Sequence, residues 1–502
     1  TGPDKVYNEW LKNAGPKFWA KYAEIINNSL ETNAYPDVIG EAIITPLPKP
    51  NKPSGPVTSL RPLCLSNGAR KILSMIVLKR IEEKVDIFTG STQAGYKCGR
   101  SCAGDLLWAE RMLISVVTRK HFEYHKMGID MSRAFDTIKR QTILDLLAKA
   151  GCTDDDLRLV RLLLANTMLK VRVEGELSAV FESLLGSFQG DSLSGKLFTL
   201  VLAGALIELR QRLAESPPHI PNPPISKEGM PLESAYSDDC NFMNVEKESL
   251  EAILPIAKEV FKEFNLFINT EKTEFTHVFL APVGETIPGR DDTMLRGNED
   301  WRKSKMLGSL LCSESDIAAR CIAGNNAFHK FIKIWSQQKI SIGRKISVYE
   351  AQIVSIMMYN CGSWSPTAKS LEKLDICHRK HLRTLLNIRW PEGIITNKDL
   401  YKRCNSVKLS ERVPKARWKL LGHILRSADD SPAALALKFA VTTQCRGRVG
   451  AHRKNLFKTI ENDLALRGFK NFKFNSLKKL NKLKILASDR FAWRDKFNSL
   501  AV

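Results

Sequence analysis

The stretch that decides the fold is Ala235-Tyr236-Ser237-Asp238-Asp239-Cys240, in which two adjacent carboxylates lie between apolar residues. The apolar pair Phe242-Met243 follows, and the whole pattern is typical of a β-hairpin that exposes the acids at its turn. Adjacent acids also occur at 154–156, 291–292 and 429–430, in polar, turn-rich or helix-flanking stretches. The pair at 238–239 therefore gains weight only from a second acidic element.

That second element is Met127-Gly128-Ile129-Asp130-Met131-Ser132, in which Asp130 closes a short strand-like run. Two-metal phosphoryl transfer needs carboxylates that hold two divalent cations roughly 3.5 to 4 Å apart. Mg²⁺ prefers such hard oxygen ligands. We therefore predict that Asp130, Asp238 and Asp239 converge at strand ends and hold two Mg²⁺ ions, for which Mn²⁺ can substitute.

Further motifs surround these acids in a definite order. They lie at 42–50, 60–67, 71–73, 93–96, 127–136, 186–194, 235–240 and 269–274, and they include Leu60-Arg61-Pro62, Gln93-Ala94-Gly95-Tyr96, Phe188-Gln189-Gly190 and Asn269-Thr270-Glu271-Lys272. As an ordered set, over residues 1–315, they resemble the reverse transcriptases of non-LTR (LINE-type) retrotransposons. The resemblance implies an α+β right-hand polymerase with fingers, palm and thumb. It also implies an RNA-directed DNA polymerase that copies retrotransposon RNA into cDNA by target-primed reverse transcription.

The resemblance assigns binding of the incoming dNTP to Lys49, Arg61, Phe135, Gln189, Gly190 and Tyr236. Arg61 suits a triphosphate clamp because a guanidinium binds phosphate oxygens in a bidentate manner, whereas Lys49 is equally compatible with a solvated lysine. Phe135 would press on the sugar and exclude the 2′-hydroxyl that distinguishes RNA from DNA, or it is a core aromatic residue. Gln189-Gly190 would lie under the templating base pair, since glycine permits close backbone approach, or it is a strand-to-helix turn.

Three more palm residues follow from the same resemblance. Lys272 would protonate the departing pyrophosphate as a general acid, or it contacts a phosphate. Asp136 is left out of the metal set, because the family's Ala-Phe-Asp uses this position structurally. Ser237 stands where the family commonly has alanine, and serine is similar enough in size to leave activity intact.

The chain is strongly basic: among 502 residues, 76 Lys and Arg outnumber 54 Asp and Glu, for a formal charge of +22. Such a charge suits a polyanionic partner. Residues 441–502 hold 15 basic and 4 acidic residues, a net +11, so we expect a separate basic grip on nucleic acid there. The predicted contacts are Trp418, Arg446, Arg448, Arg453 and Lys454, with the cations at phosphates and tryptophan stacked on bases. Each aromatic residue of this region is equally compatible with a core position.

The 11 cysteines, with no Cys-x-x-Cys pair and no secretory signal, indicate a reduced intracellular compartment, and we expect a nuclear protein. The longest apolar stretch, 197–207, is too short to span a bilayer, so no membrane partner is expected. Cys361, Cys377, His381 and Cys404 do not have the spacing of structural zinc sites. The expected partners are an RNA template, a DNA primer or target site, and dNTPs. An endonuclease domain is expected to lie upstream or to be absent.

The patterns divide the chain into four predicted regions: fingers at 1–90, palm at 91–315, a helical thumb at 316–390 and a basic helical C-terminal region at 391–502. A proline-rich surface insertion is expected near 215–232. Two other functions stay open: a domesticated or maturase-like RNA-binding scaffold, and another polymerase class, either an RNA-directed RNA polymerase or a telomerase. Phe135 disfavours the first of these polymerases, and no dedicated RNA-binding N-terminal domain supports the second.

Overall fold

Strands and helices alternate through the first 310 residues, and helices make up most of the rest. The computed structural model describes residues 2–33, 36–49, 53, 55–97, 102–132, 135–165, 167–280, 300–388, 395–449, 454–469 and 472–498. The first half contains α1 (Asn8–Lys12), α2 (Pro16–Thr32), α3 (Asp37–Gly40), β1 (Ala42–Pro48), β2 (Leu60–Ser66), α4 (Gly68–Phe88), α5 (Cys102–Arg119), β3 (Tyr124–Ser132), α6 (Arg140–Lys149), α7 (Asp154–Leu164), β4 (Met168–Val173), β5 (Glu176–Leu177), β6 (Phe181–Glu182), α8 (Ser194–Glu215), β7 (Glu233–Tyr236) and β8 (Asp239–Asn244). The second half contains α9 (Lys247–Glu263), β9 (Phe267–Val278), α10 (Asp300–Lys303), β10 (Lys305–Met306), β11 (Ser309–Leu310), α11 (Ser313–Lys330), α12 (Ile332–Trp335), α13 (Ile342–Tyr349), α14 (Ser355–Met357), α15 (Ala368–Leu385), α16 (Asn397–Arg403), α17 (Leu409–Arg426), α18 (Pro432–Thr442), α19 (Leu456–Leu466), α20 (Leu477–Ser488) and α21 (Arg490–Asn498).

The palm is built on an antiparallel sheet of four strands in the order β7-β8-β3-β9. Its strands alternate buried and partly exposed side chains, as in β3, because one face lies on the core. Helix α9 packs on β3, β8 and β9. This sheet brings the two predicted acidic elements into neighbouring strands.

A second sheet supports the fingers, with strand order β2-β1-β4-β5 and β6 paired to β4. β1 and β2 are antiparallel, whereas β1 and β4 run parallel. Ala42, Cys64, Leu169 and Phe188 form a small core of their own under this sheet.

Helix α8 passes through the middle of the molecule. All its residues from Ser194 to Leu206 are buried, as expected of a helix that is apolar on every side. The apolar stretch 197–207 lies within this helix. Among the described residues, no helix has the length and apolar character required to cross a membrane.

The cores do not follow the predicted domain boundaries. One cluster joins fingers helices such as α4 to the palm and to C-terminal residues from Trp418 to Trp493. A second cluster, the thumb core, runs from Ile317 to Val413. The chain passes from one core to the other within α17, C-terminal to the boundary predicted at 390–391, and the four predicted regions stay a prediction. The C-terminal helices are part of the palm's fold, and the expected separate grip is wrong in that respect.

The proline-rich stretch 217–224 forms neither helix nor strand, as proline's fixed φ and missing N–H predict. Most of its residues are exposed, while Ile220 and Pro224 are buried. The stretch therefore runs mainly over the surface, and these two side chains anchor it to the core; that it is an insertion stays a prediction.

Candidate active site

The two adjacent carboxylates lie at the turn of a β-hairpin. β7 and β8 pair with Tyr236 opposite Asp239, which leaves Ser237 and Asp238 as the turn residues. Ser237 has a φ of 54°, and hairpins with two-residue turns require a positive φ at this position. The turn presents Asp238 at its tip and Asp239 at the start of β8, as the sequence predicted.

Asp130 lies beside this hairpin because β3 pairs with β8. Ile129 is opposite Cys240, and the same register continued by one residue places Asp130 across from Asp239. Like charges that face each other across strands destabilise a sheet. The fold therefore gathers the three predicted carboxylates against their mutual repulsion.

The pKa of Asp239 reflects the presence of the other two carboxylates. Burial of its carboxyl group, followed by the negative charges of Asp238 and Asp130, raises the pKa of Asp239 to about 6, while Lys126 acts in the opposite direction. Asp239 is exposed to solvent by surface area, which weakens the contribution of burial. The repulsion from two nearby carboxylates is the firmer cause, and a bound cation would relieve it.

The donor set fits a divalent cation in its chemistry, since carboxylate oxygens are the ligands that Mg²⁺ prefers. Across the described ranges, however, no three His, Cys, Asp or Glu side chains are grouped closely enough to hold an ion by themselves. Mg²⁺ commonly completes its shell with waters and substrate phosphates. The assignment of Asp130, Asp238 and Asp239 as metal ligands stays a prediction.

Lys272 reaches Asp130 from a bulge in β9. Gly128 pairs with Glu274 and Asp130 with Asn269, so residues 270–273 protrude between these pairs. Lys272 Nζ lies 2.9 Å from Asp130 Oδ2, and its side chain is 58% exposed. Such an exposed ion pair contributes at most about 1 kcal/mol, so the ammonium can readily transfer to a phosphate. Both predicted roles of Lys272, general acid and phosphate contact, remain compatible with this position.

Phe135 packs against the palm core. Its ring centroid lies 4.6 Å from that of Phe198 and 6.5 Å from that of Tyr96. Tyr96 in turn covers Gly195, where a Cβ atom would lie 2.3 Å from the tyrosine ring. Phe135 is only half-buried, so it combines a core contact with an open side on which a sugar can be sensed.

The segment Gln189-Gly190 docks on the fingers. Cys64 donates its N–H to the carbonyl of Gln189 at 2.8 Å. Gly190 has a φ of 107°, and a Cβ atom there would lie 2.9 Å from Leu63 Cδ1. The glycine is thus required by the turn and by strand β2, and not only by a nucleotide as predicted. Gln189 Nε2 donates to Asp136 Oδ1 at 3.3 Å, which agrees with a structural role for Asp136.

The two predicted cations of the fingers differ in their environment. Arg61 is opposite Leu47 in the pairing of β1 with β2, is exposed, and has no hydrogen-bond or ion-pair partner among the described residues. Lys49 Nζ donates to the carbonyl of Thr58 at 2.9 Å. Arg61 is therefore the better placed of the two to contact a triphosphate.

Trp418 does not lie where a base could stack on it. Its side chain is 3% exposed, and its ring lies parallel to that of Trp493 at a centroid distance of 4.1 Å. Each indole N–H donates to the other residue's carbonyl, at 2.8 and 3.0 Å. The prediction of Trp418 as a nucleic-acid contact is wrong, because the ring is buried and its N–H is bonded within the core.

The predicted basic contacts divide in a similar way. Arg448 Nε donates to the carbonyls of Val117 and Lys120, at 3.2 and 2.9 Å, and so caps the C-terminal end of α5. Arg446 and Lys454 are exposed and stay predicted phosphate contacts. Arg453 lies outside the described residues.

Sequence reasoning recognised the motif at 93–96 without assigning a role to Gln93. This side chain is 1% exposed and bonds to the backbone of Ser237. The one sequence signal that could have pointed to Gln93 is its position two residues before Gly95, ahead of the second acidic motif. Sequence spacing alone cannot tell such a support from a substrate contact.

Comparison with known proteins agrees with this geometry. A family model described as reverse transcriptase (RNA-dependent DNA polymerase) matches residues 47–311, which is more than half of the 502 residues. The chain is 22% identical to the RNA-directed DNA polymerase from mobile element jockey of Drosophila melanogaster, covering 84% of this chain and 44% of that protein. It is 23% identical to the Pol polyprotein from type-1 retrotransposable element R2 of Popillia japonica, covering 68% of this chain and 47% of that protein. The chain thus spans less than half the length of these two relatives.

Among solved structures, an apo telomerase from Candida tropicalis has 12% identity and a TM-score of 0.39, covering 93% of this chain and 73% of its own.

Proposed function

The chain belongs to the reverse transcriptase (RNA-dependent DNA polymerase) family, and from this premise we propose that it copies retrotransposon RNA into cDNA by target-primed reverse transcription. The observation that carries the proposal is the strand register that places Asp130 on β3 next to the Asp238-Asp239 hairpin, where burial and the charges of Asp238 and Asp130 raise the pKa of Asp239 to about 6. Like charges on neighbouring strands destabilise a sheet. Divalent cations, with substrate phosphates and water completing their shells, would offset that repulsion.

In this proposal Asp130, Asp238 and Asp239 would hold the Mg²⁺ ions, and bound Mg²⁺ would supply charge stabilisation for the attacking and leaving oxygens. Lys272 keeps its ammonium at Asp130 until a phosphate group draws it away. Phe135 limits the space beside the sugar. Arg61 extends a guanidinium from β2 toward the triphosphate, where a bidentate contact fixes orientation.

The proposed partners are an RNA template, a DNA primer or target site, and dNTPs. The charge of +22 supports a polyanionic partner, and exposed cations of the C-terminal helices supply phosphate contacts next to the palm. A DNA target implies a nuclear site of action, which we propose on that ground alone.

Primer extension tests the proposal. The purified protein should extend a DNA primer on an RNA template with Mg²⁺ and dNTPs, and Asp238→Ala should abolish extension while RNA binding is retained. Ser234→Ala is the control, because it changes a residue of the same strand pair away from the turn and should leave extension intact. Wild-type protein that binds RNA and never extends a primer would favour the RNA-binding scaffold instead.

A further inference from the structure

Gln93 lies directly behind the turn that carries the carboxylates. Its Oε1 accepts from the N–H of Ser237 at 2.9 Å and from the N–H of Gly95 at 2.7 Å. Its Nε2 donates to the carbonyl of Ser237 at 3.2 Å. One buried carboxamide therefore satisfies both backbone polar groups of the residue that precedes Asp238.

The segment that carries Gln93 behaves as an additional edge of the palm sheet. Ala235 donates its N–H to the carbonyl of Thr92 at 2.9 Å, and Ala94 donates to the carbonyl of Ala235 at 2.8 Å. Gly95 comes so close to the turn that a Cβ atom would lie 2.4 Å from Ser237 N. Any other residue at 95 would push the turn away.

Arg210 of helix α8 fixes this arrangement from below. Its Nε donates to Glu233 Oε2 at 2.9 Å and its Nη2 donates to Thr92 Oγ1 at 2.8 Å. Glu233 begins β7 and is 2% exposed. One guanidinium therefore ties both the hairpin and the Gln93 segment to the most deeply buried helix of the palm.

The turn needs such support for two reasons. Ser237 holds a positive φ of 54° without being glycine, a conformation that persists only when its surroundings determine it. Asp238 and Asp239 lie in the hairpin that pairs with the strand of Asp130, and like charges on neighbouring strands repel one another, so the carboxylates tend to move apart. Hydrogen bonds on both sides of Ser237 oppose that movement.

We propose that Gln93 is a positioning residue for polymerisation, whose carboxamide holds the Ser237 turn so that Asp238 and Asp239 face Asp130. Gln93 acts through the backbone of Ser237 and contacts neither substrate nor metal. The inference rests on the proposed function, because the carboxylates must be the chemical centre for their placement to matter.

The test compares Gln93→Leu, which removes every side-chain hydrogen bond, with Gln93→Glu, which keeps size and acceptors and loses the N–H donor. Tyr124→Phe is the matched control, since it deletes another buried palm hydrogen bond, from Tyr124 Oη to Glu110 at 2.7 Å. Measurements are kcat and KM for dNTP, thermal stability, and Mn²⁺ affinity by electron paramagnetic resonance of the protein bound to an RNA/DNA duplex.

For Gln93→Leu we expect kcat to fall about 100-fold, as small misplacements of reacting groups produce, with KM for dNTP nearly unchanged and weaker Mn²⁺ binding. Gln93→Glu should lose part of kcat and some stability, because its buried carboxylate faces the Ser237 carbonyl, and Tyr124→Phe should lose stability alone. Wild-type kcat and Mn²⁺ affinity in Gln93→Leu would overturn the inference. If Gln93→Leu does not fold, wild-type values in Gln93→Glu would overturn it. Failure of the wild-type protein to extend any primer would overturn the proposed function. A comparison of Mn²⁺ affinity between the wild type and Gln93→Leu would still test the positioning role of Gln93.

Discussion

The edge of the palm sheet and the C-terminal helices use charged residues in opposite ways. In the palm, like charges are gathered, and the pKa of Asp239 rises to about 6 through burial and through Asp238 and Asp130. In the C-terminal helices, opposite charges are paired: Arg417 Nε lies 2.5 Å from Asp463 Oδ2, and both side chains are buried. A charge satisfied inside the protein supports the fold, whereas charges held together unfavourably point to a ligand.

Substitution of Trp418 should give the largest effect on stability. Trp418→Ala removes a buried ring stacked on Trp493 and should lower the free energy of unfolding by about 3–5 kcal/mol, as large-to-small core changes do. Phe491→Ala is the control, because Phe491 is 70% exposed. Denaturant unfolding measures both. A stable Trp418→Ala protein with weakened binding of single-stranded RNA would restore the base-stacking role and remove the contrast between the two regions.

The thumb core should lose stability in acid. Burial lowers the pKa of His378 to about 3 and that of His381 to about 4. Above pH 6.5 both rings are neutral in the folded and unfolded chain. Below pH 6.5 the two histidines become protonated in the unfolded chain but stay neutral in the folded thumb, so stability falls as pH drops toward 4.

Between pH 7 and pH 5 we expect a loss of more than about 1 kcal/mol, measured by denaturant unfolding at several pH values. His378→Asn should flatten the pH dependence, whereas His329→Asn, at an exposed residue, should leave it unchanged. A flat profile for the wild-type protein would mean that the histidine rings are accessible to protons in the folded state.

The sequence alone predicted the palm side of this contrast. The family match confirms the predicted reverse transcriptase, and the hairpin at 235–240 is present as predicted, since two-residue turns and strand periodicity are local properties. The bulge that brings Lys272 to Asp130, and the bonds from Gln93 to Ser237, depend on strand register across 142 and 144 residues. Local patterns do not encode such registers.

The C-terminal half was harder for a physical reason. Basic and aromatic residues at helical spacing have the same pattern whether they meet phosphates and bases or pack against another helix. Trp418 and Arg448 contact Trp493 and the end of α5, respectively, and neither partner lies close in sequence. Helix α17 contributes residues to both hydrophobic cores, and the pattern near the predicted boundary at 390–391 carries no signal of that.

Phe135→Ala tests sugar selection in the palm. Removing the ring should raise the efficiency of ribonucleotide use relative to deoxynucleotide use by about tenfold, or about 1.4 kcal/mol, because space opens beside the 2′ position. Steady-state incorporation of both nucleotides measures the ratio. An unchanged ratio with reduced stability would mean that Phe135 only packs in the core and does not select the sugar.

The smallest expected effect concerns exposed lysines of α20. Lys478 and Lys482 are exposed one turn apart, so replacing both with alanine should lower the salt dependence of duplex binding by about two counterions. Lys484→Ala is the control, because that ammonium pairs with Asp429. Binding isotherms at several salt concentrations measure the slopes. Equal slopes of affinity against salt concentration in all variants would mean that this face of α20 does not contact the nucleic acid.

We infer that the palm carboxylates perform the chemistry while the C-terminal helices hold the fold and the nucleic acid. Single-turnover addition of one nucleotide to a prebound RNA/DNA duplex separates these two roles. Asp239→Asn, which keeps the size of the side chain and removes its charge, should slow addition at least about 100-fold, or about 2.7 kcal/mol, with unchanged duplex affinity. An addition rate within about tenfold of wild type would contradict the claim.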